Sequence, residues 1–401
     1  MLLHLQKKFY IRLAILFLLT STAILYYVAN KKDTVNLKAR SLKKYVKQHK
    51  VKAFDKSQNS TIKDKIKVVQ PHKKKVGKYD GKIYRFGSGA EEIKIAAVLC
   101  GERLNQTIVT LKSALVFSKE NLHFILVVDE NNHEDLKNTI LDWPSDVLGR
   151  LSFEIHPINF PDGSEGEEWK KLFKLCACQR LFLPSLMHHI DSLMYVDTDV
   201  LFMQPVENLW HHFSKMNNSH IAALCPEHED FATGWYNRFA RHPYYEPLGV
   251  NSGVMLMNLT KMRAFQWEKY LAPIMKEFKL NIVWGDQDII NIIFHFHSEK
   301  LYILPCEWNY RPDHCMYSSV CKTAEKNGVA VIHGNRGVFH NDKQPAFKAI
   351  YKTMSQFNLE KDIQHKVIEL ITSSLKETIN TNCGKHLSAI FSKMEQLEKY
   401  R

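Results

Sequence analysis

From Ile93 onward, apolar runs and helical spacings alternate along the chain. IKIAAVLC (93–100) is a continuous apolar run of strand length. The next segment, 103–117, places Leu104, Ile108, Leu111 and Leu115 on one helical face. LHFILVVDE (122–130) is a second apolar run. Strand, helix and strand within about forty residues form a βαβ unit, which implies a parallel sheet. LSFEIHPI (151–158) predicts another strand, 167–187 a helix, and SLMYVDTDVLF (192–202) one uninterrupted strand. HIAALCPE (220–227) and VNSGVMLMNL (250–259) predict two more strands. A helix is expected around Arg263–Lys279 and an amphipathic helical segment over Ser355–Arg401, pinned by Cys383. The fold class expected is α/β, with a mixed central sheet in one nucleotide-binding domain over residues 93–401.

The pattern before Ile93 is different. Leu13–Ala29 is an uncharged apolar run at the short end of the membrane-spanning range. Arg12 and Lys31 flank it, and Tyr26 and Tyr27 suit the headgroup level. Residues 13–29 are expected to be an uncleaved signal-anchor; a cleaved signal peptide is the alternative, although no small-residue cleavage site follows. Residues 1–12 would be a cytoplasmic tail and 30–92 a basic, flexible stem. Between Lys31 and Lys82 there are 18 Lys and Arg against 4 Asp and Glu, a surplus larger than the whole chain's +13. The chain beyond the stem is therefore mildly acidic. A nucleic-acid binder carries its basic face on the folded domain, so no nucleic-acid partner is expected.

Charge does not fix the orientation of the anchor, because both flanks are basic. Sequons at Asn59, Asn105, Asn217 and Asn258 favour the lumen. So do the 8 cysteines, with Cys306, Cys315, Cys321 and Cys383 gathered in the last third and no paired CxxC units. A single-pass type II protein of the endoplasmic reticulum or Golgi membrane is expected, with the folded domain luminal.

Chemistry enters at MYVDTDVLF (194–202). In a strand, side chains at i and i+2 share a face, so Asp197 and Asp199 are expected to converge near a strand end, where open α/β sheets bind ligands. Two carboxylates suit a hard cation such as Mn²⁺ or Mg²⁺, with a diphosphate completing its shell. Strand-end aspartates bonded to backbone N–H groups are the alternative.

Four motifs occur in order: YVDTDVLF, GVNSGVMLMNL (249–259), WGDQDIIN (284–291) and VIHGNRG (331–337). Together they resemble the family 8 glycosyltransferases of GT-A fold, over about 93–350. Longer stretches, among them WNYRPDHC and HGNRGVFHNDKQPAF, resemble the glucoside xylosyltransferases, type II enzymes that move xylose from UDP-xylose onto O-linked glucose of EGF repeats. The resemblance implies retaining, α-1,3 transfer to a Notch-type EGF-repeat glycoprotein. It implies Mn²⁺ (or Mg²⁺) on Asp197, Asp199 and His333, and UDP-xylose as donor. Cys100, Gly101, Glu102 and Arg103 would seat the uridine, and Thr198 lies within the DTD motif. Arg180 would lie near the diphosphate, with a helix-surface role as the alternative. Asn251, Ser252, Asp286 and Gln287 match positions that hold the donor sugar, and Asn251, Asp286 and Gln287 are the catalytic candidates. Gly334 would let the backbone approach a phosphate. Lys343 or Arg336 would neutralise the leaving diphosphate. Asp288 offers an N-terminal helix carboxylate instead. For the mechanism, a front-face route is preferred over double displacement, because an amide is a poor nucleophile. The aromatic segments 234–247 and 306–315 are candidate sugar walls, with core packing as the alternative.

Overall fold

The computed structural model of the chain describes residues 83–86, 92–160, 178–359 and 364–398, together with Gly166, Trp169 and Cys176. The candidate anchor, the tail, Asn59 and most of the stem lie outside these residues, as does part of the predicted 167–187 helix; its described end forms a 3-10 turn (Gln179–Phe182) and one helical turn (Leu183–Leu186). Among the described residues, no helix is long and apolar enough to cross a membrane. One compact unit spans Tyr79–Arg401.

That unit is built on an eight-stranded mixed sheet. In chain order the strands are β1 (Ile83–Arg85), β2 (Glu92–Leu99), β3 (Asn121–Val128), β4 (Leu151–Pro157), β5 (Ser192–Val196), β7 (Ala222–Pro226), β8 (Val250–Asn258) and β9 (Leu301–Ile303). Across the sheet the order is β1-β4-β3-β2-β5-β8-β7-β9. β2 pairs in parallel with β3 and β5, and β3 with β4, as the βαβ pattern requires. β8 runs antiparallel to β5 and β7. The sheet is therefore mixed, and its change of direction falls beside β5.

The parallel strands read as continuous apolar runs because both faces are covered. Ile93, Ile95, Ala97 and Leu99 face one core, and Ala96 and Val98 the other. The first core is closed by α1 (Leu104–Val116) and by Phe347, Val367 and Phe391 from the C-terminal helices. The second is closed by α2 (Leu259–Phe265), α3 (Leu271–Phe278) and α4 (Asp286–Phe296).

Three expectations are corrected. The fold starts before Ile93: Ile83–Arg85, inside the segment assigned to the stem, forms an antiparallel edge strand on β4, and Tyr84 stacks on Phe153. The 192–202 run is two strands, because β5 stops at Val196 and β6 (Val200–Phe202) pairs in a separate small sheet with β10 (Val331–His333). The expected helix at 263–279 is broken, because Gln266 adopts a left-handed conformation (φ 60°) that ends α2.

Three disulfides lie in the described residues: Cys100–Cys176, Cys306–Cys321 and Cys315–Cys383. The last ties the loop after Tyr310 to the final helix (Asn382–Glu398), so Cys383 pins the C-terminal segment as expected. A crosslink closing a loop of this size typically stabilises by about 2–4 kcal/mol. Cys383→Ser should lose about that much in denaturant unfolding and expose the final helix to limited proteolysis. An unchanged midpoint and cleavage pattern would contradict the assigned role.

Candidate functional site

The DTD segment is a turn, and backbone bonds hold it from both sides. At its start, Asp197 N–H donates to Gly253 O of β8 (2.9 Å). At its end, Gly334 N–H, just after β10, donates to Asp199 O (2.7 Å). Thr110 of α1 donates its hydroxyl to Thr198 O and Val200 O (2.7 and 2.9 Å), fixing the turn from below. Asp197 and Asp199 converge because the chain turns between two sheets, not because of strand alternation.

His333, at the end of β10, meets both carboxylates. Its Nε2 lies 3.4 Å from Asp199 Oδ1 and 3.9 Å from Asp197 Oδ2. One ligand atom from each of the three residues lies within 4.8 Å of the others. Neighbouring ligands on a six-coordinate Mg²⁺-sized ion sit about 3 Å apart, so the set fits a divalent cation with slight contraction. Two oxygens and one imidazole nitrogen suit Mn²⁺ or Mg²⁺. His333 fits here because position 253 has no side chain: a Cβ there would fall 2.2 Å from the ring. Burial raises the Asp199 pKa, but the His333 and Arg103 charges and hydrogen bonds outweigh it and hold the carboxyl below its usual range.

Arg180 joins this cluster to the VNSG and WGDQD motifs. It is buried, with the guanidinium over the Tyr195 ring (4.2 Å to the centroid). Its NH2 donates to Asp197 Oδ1 (2.7 Å), and NH1 donates to Ser252 O. Its Nε is ion-paired with Asp286 Oδ2 at 2.5 Å, a contact of charges rather than an aligned hydrogen bond. The helix-surface alternative for Arg180 is therefore overturned. Asp286 is pushed up to about 7, chiefly by burial, with the Arg180 charge pulling the other way.

Beyond Asp286, Gln287 and Asn251 form a buried amide pair. Asn251 Nδ2 donates to Gln287 Oε1 (3.1 Å), and Ser252 N–H points to the same oxygen at 3.4 Å. Both amides also donate to Glu227 Oε2 (2.7 and 3.2 Å). Asp288 is not free at the mouth: it accepts from Val283 and Trp284 N–H and from Tyr236 OH, bracing the turn before α4.

The remaining candidates have their own partners. The Cys100 side chain is consumed by its disulfide to Cys176, so it offers no thiol to a nucleotide. Gly101, left-handed at φ 62°, is held by Asp129, whose carboxylate accepts its N–H at 2.7 Å, and Glu102 is exposed beside it. Gly334 N–H is taken by Asp199 O, and the space where its Cβ would stand is filled by Phe339, so it offers no approach to a phosphate. Arg336 is paired with Asp313, and Lys343 is exposed in a turn whose N–H bonds Asn341. The aromatic segments are split: Tyr236 and Tyr310 are buried, while Phe239 is 59% exposed. Arg103, expected in the uridine segment, lies 3.9 Å from Asp199; residues missed from the sequence are Glu227, Asn309 and Asp129. Only the position of Asp129, at the end of an apolar run, carried a signal.

The pattern of glycosyl transferase family 8 matches residues 94–336. The chain belongs to this family. It is 48% identical over 322 residues to glucoside xylosyltransferase 1 of Mus musculus, covering 78% of each chain. The Homo sapiens protein of the same name is 47% identical over 306 residues, 74% of this chain and 69% of that one. The crystal structure of mouse xyloside xylosyltransferase 1 in its apo form aligns with a TM-score of 0.45 at 20% identity, over 62% of this chain and 99% of that one. As a family 8 glycosyltransferase the protein is an enzyme, and the clustered motifs at the sheet's change of direction are its candidate active site.

Asp286 generates a pH prediction for the metal-free protein. Its folded pKa of about 7 lies above its ordinary 3.8. Folding thus favours the protonated form, and this contribution is complete below about pH 4 and lost as pH rises through 7. Asp286→Asn, neutral throughout, should flatten the fall in stability between pH 4 and 8 in thermal melts. Parallel wild-type and variant curves would contradict the shift.

Proposed function

We propose that this enzyme is a retaining, metal-dependent transferase of GT-A fold that moves xylose from UDP-xylose, in α-1,3 linkage, onto O-linked glucose of EGF-like repeats. The xylose donor and the glucoside acceptor are supported by the names of relatives that are 47–48% identical to it over the aligned 306–322 residues. The observation that supports the chemistry is the convergence of Asp197, Asp199 and His333 beside the Arg180–Asp286 pair. The N-terminal apolar run and the three disulfides support an anchored, luminal enzyme of the endoplasmic reticulum or Golgi.

In this proposal Asp197, Asp199 and His333 hold Mn²⁺ or Mg²⁺. The ion, when bound, supplies positive charge against a departing diphosphate. Gly101 and Glu102 form the uridine end of the cleft, with Asp129 setting the loop. Arg103, exposed and aimed at Asp199, and Lys343 are the cations available to the phosphates. Asn251, Ser252, Asp286 and Gln287 bind the xylose by directional hydrogen bonds from rigid, buried groups. Asp286 is bound to Arg180, and Gln287 is an amide locked to Asn251. Neither is a free carboxylate nucleophile, which favours the front-face route in which the leaving phosphate accepts the acceptor's hydroxyl proton.

A panel of UDP-sugars offered to the full-length chain, with and without Mn²⁺, tests the donor; hydrolysis is scored first, then transfer to an O-glucosylated EGF module. UDP-xylose should be turned over only with metal. Turnover of UDP-galactose or UDP-glucose in its place would replace the donor, and no turnover of any sugar would favour a silent carbohydrate-binding scaffold. Asp199→Asn should weaken metal-dependent UDP binding by at least the roughly 10–100-fold that loss of an outer-shell partner costs a metal site. Unchanged UDP affinity in a folded variant would remove the metal role.

A further inference from the structure

A directed chain of buried amides runs from Glu227 to the imidazole of His333. Asn251 Nδ2 donates to Glu227 Oε2 at 2.7 Å. Asn309 Nδ2 donates to Asn251 Oδ1 at 2.8 Å. Asn309 Oδ1 lies 2.9 Å from His333 Nδ1. The far nitrogen of His333, Nε2, faces Asp197 and Asp199.

One backbone group fixes the direction of this chain. The N–H of Gly253 points at Asn251 Oδ1 (3.0 Å), and a backbone N–H can only donate. The atom it meets must therefore be the amide oxygen of Asn251. The Asn251 NH₂ is then turned to Glu227 and Gln287, which both offer oxygens there. The Asn309 group facing Asn251 Oδ1 must be its NH₂, because two facing oxygens would repel. Its carbonyl oxygen then faces His333 and can only accept. The hydrogen on His333 is thereby placed on Nδ1, and the lone pair on Nε2.

The scaffold of the chain is rigid. Asn251, Asn309 and His333 are all buried. Arg311, fully buried, donates NH1 to Asn309 O (3.2 Å) and NH2 to Glu227 O (2.6 Å), so one guanidinium holds both ends of the amide pair. His333 N–H donates to Tyr310 O (2.9 Å), which sets the ring's backbone one residue away from Asn309.

We propose that Asn309 is a positioning residue that holds His333 in the Nδ1–H form, presenting Nε2 to the divalent cation, and that Asn251 links this setting to the donor-sugar groups Gln287 and Glu227. The cation's presence rests on the functional reading above; the setting of the imidazole does not. Outer-shell partners of this kind fix tautomer and ring orientation in metal sites. Here the partner is a neutral amide whose second end is tied to the sugar subsite. Asn251 belongs to that subsite, so a change at Asn309 is felt on both sides.

The test uses the full-length chain labelled with ¹⁵N-histidine and supplied with diamagnetic Mg²⁺ and UDP, with His333→Gln identifying the His333 signals. The ring should appear as the Nδ1–H tautomer in the wild type. In Asn309→Leu, which fills the space but accepts no hydrogen bond, the signals should shift toward an Nδ1–H/Nε2–H mixture. Mn²⁺ affinity, read by electron paramagnetic resonance in the presence of UDP, should fall about 10–100-fold. Asn309→Asp keeps the acceptor for Nδ1–H but loses the donor to Asn251. It should retain most of the Mn²⁺ affinity while the KM for the sugar nucleotide rises, a split that a merely structural role would not produce. An Nε2–H tautomer in the wild type overturns the proposal, and so does equal Mn²⁺ affinity in the Asn309→Leu variant. A wild-type protein that shows Nδ1–H but binds no Mn²⁺ supports the relay and refutes the metal reading instead. If Asn309→Leu fails to fold, the wild-type tautomer and the Asn309→Asp split decide.

Discussion

Everything at the site depends on the burial of one guanidinium between two carboxylates. Arg180 is out of water, and its charge survives there because Asp197 and Asp286 lie against it. Burial alone would lower its pKa, yet the two carboxylates and Tyr195 raise it instead. Breaking such a buried arrangement by deleting one partner typically costs about 3–5 kcal/mol, because an uncompensated charge is left behind. That cost ties together three segments distant in sequence: the helical turn at 179–182, the DTD turn and the start of α4. The DTD turn and the start of α4 therefore cannot move independently.

The same constraint explains the division of labour among the acidic groups. Asp197 gives one oxygen to Arg180 and Tyr195 and keeps the other toward His333. Asp199 is left to His333 and Arg103. Asp286 spends its charge on Arg180, and Asp288 spends its oxygens on the turn before α4. Glu227, buried and raised by desolvation, anchors the amides rather than facing the cation. Asp288 also meets an imidazole nitrogen, His242 Nε2 at 3.1 Å, but its oxygens are already bonded to Tyr236 OH and to the turn before α4, whereas Asp197, Asp199 and His333 bring three possible ligand atoms together. The DTD corner is therefore the candidate cation site.

The parallel strands were legible because burial on both faces writes an unbroken apolar run, and α1 because one face carries leucine and isoleucine. The DTD segment was misread for the same reason: Val200, Leu201 and Phe202 are as buried as β5, though they belong to another sheet. Apolar periodicity reports burial and says nothing of which sheet a residue joins. Gln266 broke the expected helix with no glycine at the break itself; the sequence sign was Pro273, which is tolerated only because it falls in the first turn of α3. In the site, Asp197, Asp199, His333, Asn251, Asp286 and Gln287 were found from ordered motifs. Glu227 and Asn309 were not, because each stands in an ordinary-looking stretch and becomes informative only through a tertiary hydrogen bond. Cys100 shows the converse: a position chosen for its place after β2 is occupied by a bond to Cys176, a residue 76 positions away.

The central claim is that a divalent cation and the nucleotide diphosphate meet at the DTD turn, opposite His333. Anomalous diffraction at the manganese edge, from crystals grown with Mn²⁺ and UDP, tests it most directly. The account predicts one strong peak bounded by Asp197, Asp199 and His333 Nε2, with the diphosphate on its open side. A peak held by Glu227 or by surface carboxylates, with the three side chains left unligated beside bound UDP, would contradict it.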